Sequence, residues 1–310
     1  MAEQKSPNLA GVFSVLPTPF DPEGKVDVAS LHRVVDLYIG AGVNGLTALG
    51  VTSEVARLNE RERVLILETV LERTAGRVPV VAGTTADGLR TCIQFSRAAR
   101  AAGAAAVMVS PPRLAKPNAE AVLAHYRLLA EEVGAEIVVQ DYPPVAGFTM
   151  EASLLARIAS EVPLARTIKL EDPPTPLKVA RILALSAGTP VRILGGLGGV
   201  FLLEELLAGA AGTMTGFAYP EMLVAVMAEF LAGRRDHAAD LFYRYVPLMR
   251  FEFQEGIGIA IRKEVLRRRG AIAHAGVRAP GTPLDPGTQA ALAGLLTWIK
   301  ESQGVGWISV

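Results

Sequence analysis

Short, almost wholly apolar segments alternate along the chain with longer segments in which apolar residues recur every three or four positions. Apolar runs without polar alternation are typical of parallel β-strands covered on both faces. The longer segments have the periodicity of amphipathic helices. This pattern predicts eight strands, within residues 11–20, 43–50, 78–85, 104–112, 135–143, 164–172, 190–196 and 210–217.

The segments between these strands predict the crossover helices that parallel strands require. Residues 60–76, 120–134 and 175–188 are clear examples, and each ends in a glycine that favours a helix C-terminus. Eight such units predict a closed (β/α)8 TIM barrel, whose active site lies at the carboxyl ends of the strands. An open doubly wound sheet is the alternative, but no glycine-rich phosphate loop follows the first strand.

The chain continues beyond the eighth predicted strand with three further helical patterns, at residues 234–254, 256–270 and 288–302. They have apolar faces but contain no strand pattern. We therefore expect a barrel over residues 1–232 and a C-terminal helical extension over residues 233–310. The extension is expected to pack on the barrel as one structural unit or to make subunit contacts.

Composition and charge narrow the function classes. Half of the 310 residues are hydrophobic, and 31 lysines and arginines balance 31 aspartates and glutamates. A neutral chain has no global field that would attract nucleic acid or an acidic membrane, and its apolar runs are too short to span a bilayer. One cysteine excludes an intrachain disulfide, and no apolar signal segment is evident at the N-terminus. These features predict a cytoplasmic globular protein.

The stretch "RTIKLEDPP" places the only lysine found at any of the eight predicted strand ends, Lys169, beside Glu171. Burial disfavours the charged form of an amine, and a neutral amine attacks a ketone or aldehyde to form a Schiff base. Alternate residues of a strand share one face, so Glu171 is expected beside Lys169. The alternative is a lysine that extends to water or pairs with Glu171 or Asp172.

These residues resemble the dihydrodipicolinate synthase and N-acetylneuraminate lyase superfamily, over essentially the whole chain. Residues 11–27 resemble its first strand and loop, and "GVTSE" at residues 50–54 resembles its Gly-Thr-Thr-Gly-Glu loop. Lys169 stands where the family has its Schiff-base lysine. The resemblance implies a (β/α)8 barrel, commonly a homotetramer, that acts on pyruvate or longer 2-oxo acids without a metal or organic cofactor.

The resemblance also implies where the substrate binds. The family holds the carboxylate of the 2-oxo acid on the loop after strand two, where this chain has Thr52 and Ser53. Thr18, at the end of the first strand, is a further candidate. Gly195 and Gly196 lie at the end of strand seven, where glycine gives a ligand or the backbone room.

The chain departs from the synthase at the proton relay. Val51 and Gln140 stand where the synthase has a threonine and a tyrosine, and its second tyrosine is missing near Arg113. Val145 replaces the arginine that grips aspartate semialdehyde, and Tyr142 stands two residues after the family's tyrosine position. We therefore do not expect a synthase of the lysine pathway.

The 2-keto-3-deoxy sugar acid dehydratases of the family resemble this chain more closely, in Val-Gln-Asp at strand five, Lys-x-Glu at strand six and Met-Thr-Gly near strand eight. In such an enzyme an imine forms at C2, a base removes a C3 proton and the C4 hydroxyl leaves. Glu171 is the candidate base, acid or both. Gln140 cannot transfer protons but can bind a substrate hydroxyl or orient a water.

The predicted function is therefore a Schiff-base lyase that dehydrates a 2-keto-3-deoxy sugar acid. Three alternatives remain open at this point. They are a retro-aldol lyase that releases pyruvate, a condensation like that of dihydrodipicolinate synthase, and a barrel without catalysis that binds 2-oxo acids.

Overall fold

Eight short parallel strands form the centre of the molecule and close into a barrel in sequence order, in a computed structural model that describes residues 7–302. Each strand lies within the segment that predicted it. The (β/α)8 barrel with a helical C-terminal extension is confirmed. The strands are β1 Gly11–Val15, β2 Gly45–Ala48, β3 Val80–Gly83, β4 Ala106–Val109, β5 Glu136–Asp141, β6 Thr167–Leu170, β7 Arg192–Gly195 and β8 Gly212–Thr215.

Nine α-helices surround the barrel within the described part of the chain. They are α1 Val28–Gly40, α2 Glu60–Thr74, α3 Leu89–Ala102, α4 Ala119–Val133, the single turn α5 Pro143–Ala146, α6 Ala152–Glu161, α7 Thr175–Leu185, α8 Leu202–Leu207 and α9 Pro220–Leu231. Capping side chains stabilise the N-termini of several of these helices. Asp27, Asn59 and Asn118 each accept a hydrogen bond from a first-turn backbone N–H, which satisfies a donor that has no partner in the helix.

Side chains that point inward fill the barrel below the mouth with an apolar plug, which includes Phe13, Val81, Met108, Val138 and Met214. A second, larger apolar core lies between the strands and the helices. Two-residue alternation carries the inward-facing set up to the carboxyl ends of the strands. At these ends the inward-facing side chains change from apolar to polar. The polar side chains of the barrel mouth therefore lie on top of a tightly packed apolar interior.

The extension consists of α10 Arg235–Glu252, α11 Gly258–Arg268 and α12 Pro286–Ser302. The first of these packs against α8 and α9, and the other two pack against α10. Arg262, in the middle of α11, reaches the carboxyl end of β8 next to Gly216. None of the helices described between residues 7 and 302 is long and apolar enough to cross a membrane.

Candidate active site

Lys169 and Glu171 meet at the mouth of the barrel. Their side chains are 5% and 11% exposed, and Lys169 Nζ lies 3.0 Å from Glu171 Oε2. The backbone N–H of Glu171 donates to the carbonyl oxygen of Asp141 at 2.9 Å, which continues the β5–β6 ladder by one residue. The strand alternation is therefore kept, and both side chains face the same space, as the sequence predicted.

Gln140 lies directly beside Lys169 in the register of β5 and β6. Its Nε2 donates to Glu171 Oε2 at 2.7 Å, and its Oε1 accepts from the Ser110 hydroxyl at 3.2 Å. The Ser110 backbone N–H in turn donates to the Thr85 hydroxyl at 3.0 Å. Glu171 Oε2 thus accepts a hydrogen bond from the Gln140 amide and forms an ion pair with the Lys169 amine, so the carboxylate is held next to the nitrogen that would carry the imine.

The three hydroxyls predicted to bind substrate, those of Thr18, Thr52 and Ser53, lie in or against the turn after β2. They differ in their hydrogen bonds. Thr18 donates to the Ser53 carbonyl oxygen at 2.7 Å, and the Ser53 hydroxyl donates to the Leu16 carbonyl oxygen. The Thr52 hydroxyl is buried and has no hydrogen-bond partner among the residues that the structure describes. Thr18 and Ser53 therefore fix the shape of the turn, whereas Thr52 keeps its hydroxyl available to a ligand.

The two adjacent glycines at the end of β7, Gly195 and Gly196, leave room for different side chains. A Cβ on Gly196 would lie 2.3 Å from Cγ of Glu171, so this glycine gives the Glu171 side chain its room. A Cβ on Gly195 would lie 1.7 Å from Oε2 of Glu205, which is a helix residue behind the strand. Gly195 therefore faces away from the cleft. Glu205 is fully buried and accepts from the Thr175 hydroxyl at 2.6 Å, and burial raises its pKa to about 7.

Several residues that the sequence did not assign also line the cleft around Lys169, among them Tyr142, Phe253 and Arg262. Tyr142 follows β5 directly, and burial together with the nearby Glu171 charge raises its pKa. Its position two residues after Gln140 is a usable sequence signal, because alternation places both on one side of the strand. Phe253 and Arg262 belong to the extension, and no local pattern marks them.

A second depression lies beside this cleft, and Val51 lines both. Gln140 faces this second space, together with the polar side chains of Thr85, Asp87 and Arg113. The Arg113 guanidinium donates to the Val145 carbonyl oxygen at 3.1 Å. A ligand joined to Lys169 can therefore extend past Gln140 into a space lined by hydrogen-bonding groups.

The alternative partner of Lys169, Asp172, is engaged elsewhere. Lys178 Nζ lies 2.7 Å from Asp172 and 2.6 Å from Asp141, in a buried group on the outer side of the strands. Asp141 thus points away from the mouth, as strand alternation requires. No group of three or more histidine, cysteine, aspartate or glutamate side chains is placed to hold a metal ion anywhere in residues 7–302.

Comparisons with known proteins agree with this geometry. Residues 8–299 match the dihydrodipicolinate synthetase family. The L-2-keto-3-deoxyarabonate dehydratase of Azospirillum brasilense is 33% identical over 94% of this chain and 95% of that protein. The 4-hydroxy-tetrahydrodipicolinate synthase of Methanothrix thermoacetophila is 31% identical over 95% and 98%.

Among solved structures, dihydrodipicolinate synthase from Rhodopseudomonas palustris superimposes with a TM-score of 0.88, at 33% identity, over 93% of this chain and 97% of that one. The family match covers the barrel and most of the extension, so the similarity is not confined to a shared fold. The chain belongs to the dihydrodipicolinate synthetase family and is an enzyme of the lyase class.

Proposed function

We propose that the protein is a Schiff-base-forming lyase that dehydrates a 2-keto-3-deoxy sugar acid. One observation carries the proposal: a buried amine, Lys169 Nζ, lies 3.0 Å from a carboxylate, Glu171 Oε2, which Gln140 also holds. Imine formation and proton transfer next to the imine require these two groups side by side. The similarity to L-2-keto-3-deoxyarabonate dehydratase supports the same substrate class.

The reaction starts when Lys169 gives a proton to Glu171 and its neutral amine attacks the C2 carbonyl carbon. The C2 oxygen takes up that proton from Glu171 and leaves as water, which gives a protonated imine and restores the carboxylate. Glu171 removes a proton from C3, and the electron pair of that C–H bond forms an enamine. The enamine then expels the C4 hydroxyl, which takes up the proton held by Glu171 and leaves as water, so Glu171 returns to the carboxylate. Hydrolysis of the remaining imine restores Lys169 and releases a 2-oxo acid that has lost one water.

The departures from the synthase support dehydration over condensation. Gln140 cannot relay a proton, but it orients Glu171, so proton transfer is assigned to the carboxylate. Val145 offers no cation for aspartate semialdehyde. The hydroxylated chain of a sugar acid would meet Gln140, Thr85 and Asp87 in the second depression.

Trapping with borohydride tests the imine. The protein is incubated with pyruvate or with a 2-keto-3-deoxy sugar acid, reduced and weighed by mass spectrometry, and we expect one covalent adduct on Lys169. Lys169→Ala should abolish the adduct, and Lys116→Ala, at an exposed lysine, should retain it. An adduct that survives in Lys169→Ala would disprove the Schiff-base proposal.

Retro-aldol cleavage is the second candidate, because Tyr142 lines the cleft near Glu171 and could take the proton of a C4 hydroxyl while it passes its own phenolic proton to that carboxylate. Product analysis separates the reactions. Pyruvate with an aldehyde identifies the aldolase, and a 2-oxo acid lighter by one water identifies the dehydratase. An adduct without either product identifies a protein that only binds 2-oxo acids, and product with aspartate semialdehyde identifies the condensation.

We further propose that the protein is a cytoplasmic homotetramer. We also propose that it needs no metal or organic cofactor, because the imine on Lys169 itself supplies the electron sink. Activity should therefore survive dialysis against a chelator. Light scattering coupled to gel filtration measures the oligomeric state, and a monomer would contradict the tetramer.

A further inference from the structure

Arg262, from the C-terminal extension, reaches the same cleft as Lys169 and Glu171. Its side chain is 4% exposed, and its Nε donates to Glu252 Oε1 at 2.5 Å. A Cβ on Gly216, the residue after β8, would lie 1.9 Å from Arg262 Nη1. The guanidinium therefore fills space that only a glycine leaves open at the end of β8.

One donor of this guanidinium is unused. Arg262 Nη1 is buried and makes no hydrogen bond to any residue of the described chain. A buried donor without a partner is destabilising, so its presence calls for an explanation. Thr52 lines the same cleft, and its hydroxyl is buried and unpaired in the same way.

The negative charge of Glu252 does not fully neutralise the positive charge of Arg262. Glu252 also accepts a hydrogen bond from the Ala218 backbone N–H at 3.1 Å, and the positive charge of Arg269 acts on it as well. The negative charge of Glu252 is thus shared among three groups. Apart from Lys169, Arg262 is the one cationic side chain among the described residues that line this cleft.

We propose that Arg262 supplies a cationic contact to the C1 carboxylate of the substrate, beside the turn that carries Thr52 and is already expected to hold this carboxylate. The inference rests on the proposed function, because it takes a 2-oxo acid as the ligand of Lys169. C1 is bonded to the carbon that forms the imine, so its carboxylate must lie next to Lys169 Nζ. It then needs a cation that offsets repulsion from Glu171, and a guanidinium binds a carboxylate through charge-assisted hydrogen bonds.

The test measures how much pyruvate half-saturates borohydride trapping in the whole protein, in parallel with its neutral methyl ester. Arg262→Gln should raise the half-saturating pyruvate concentration by about 10- to 100-fold, since a hydrogen bond between charged groups is lost. Methyl pyruvate should saturate as before. Arg267→Gln, at an exposed arginine of the same helix, should leave both ligands unaffected.

Arg262→Gln leaves Glu252 buried without its partner, so the double variant Arg262→Gln/Glu252→Gln is measured alongside and should show the same loss specific to pyruvate. Unchanged pyruvate saturation, or an equal loss for acid and ester, would overturn the role of Arg262 while leaving the Schiff base intact. The absence of any adduct in the unaltered protein would instead contradict the proposed function, and would remove the ligand assigned to Arg262.

Discussion

Lys263 of α11 and Glu54 of the turn after β2 form an ion pair in which both side chains are fully buried. Lys263 Nζ also donates to the Gly276 carbonyl oxygen at 2.8 Å and lies 4.3 Å from the centre of the Phe20 ring. Burial lowers the pKa of Lys263. The other oxygen of Glu54 accepts from the backbone N–H of Arg278 at 2.9 Å. Through these contacts to Glu54, the extension fixes the position of the turn that carries Thr52.

Breaking this pair should destabilise the fold and loosen the turn. We expect Lys263→Met to lower the free energy of unfolding by about 3 kcal/mol, because the buried Glu54 then keeps only one cationic partner among the described residues, the Arg57 guanidinium at 2.9 Å from its Oε2. The double variant Lys263→Met/Glu54→Gln should recover a large part of that loss. Urea unfolding measures both. If the two variants are equally unstable, the lysine contributes through packing and not through its charge.

Glu171→Gln separates imine formation from proton transfer. The carboxamide oxygen can still accept from Gln140, so the cleft keeps its shape, but the base is gone. We expect the borohydride adduct to remain and turnover to fall by about 10²- to 10⁴-fold. Glu255→Gln, at an exposed residue near Tyr142, is the control for loss of a nearby charge. Unchanged turnover would reduce Glu171 to an ion-pair partner of Lys169.

Gly196→Ala tests whether the position of Glu171 matters. The new Cβ would lie 2.3 Å from Cγ of Glu171 and must displace that side chain, because a real Cβ does not approach so closely. A shift of about 1 Å can cost about 10²-fold in rate, so turnover should fall by about that factor while the adduct still forms. Gly294→Ala, with open space around its Cα, should be neutral. Normal turnover in Gly196→Ala would show that Glu171 tolerates displacement.

The sequence predicted the barrel and the meeting of Lys169 with Glu171, because both follow from short-range periodicity. Eight apolar runs, separated by segments long enough for a crossover helix, predict one closed parallel sheet. Alternation along β6 puts residues that are two positions apart on the same face. The same alternation puts Asp141 on the opposite side of β5 from Gln140, where it pairs with Lys178. These relationships need no knowledge of distant contacts.

Other features depend on contacts that no local pattern encodes. Thr18, Thr52 and Ser53 are similar as side chains, and the backbone around them alone decides which hydroxyl stays unpaired. Arg262 lies in a predicted helix, and nothing in that helical pattern indicates that its guanidinium reaches the end of β8. The extension was expected to pack on the barrel, and its contribution to the cleft became visible only in three dimensions.

Glu205 should make stability depend on pH. Burial raises its pKa from an ordinary 4.5 to about 7, so the folded protein holds this proton more tightly than the unfolded chain does. The stabilisation is therefore complete below pH 4.5 and is lost as the pH rises through about 7. The full loss is about 3 kcal/mol.

Glu205→Gln keeps a neutral group that can still accept from Thr175, so it removes this pH dependence. The raised pKa of Asp141, about 6, acts in the same direction, and the lowered pKa of His125, about 4, acts oppositely. The difference between the unaltered protein and the variant isolates Glu205. We expect the unfolding free energy of the unaltered protein to fall by about 3 kcal/mol more than that of the variant between roughly pH 4.5 and pH 8. Parallel urea-unfolding profiles over this range would mean that Glu205 is ionised in the folded protein.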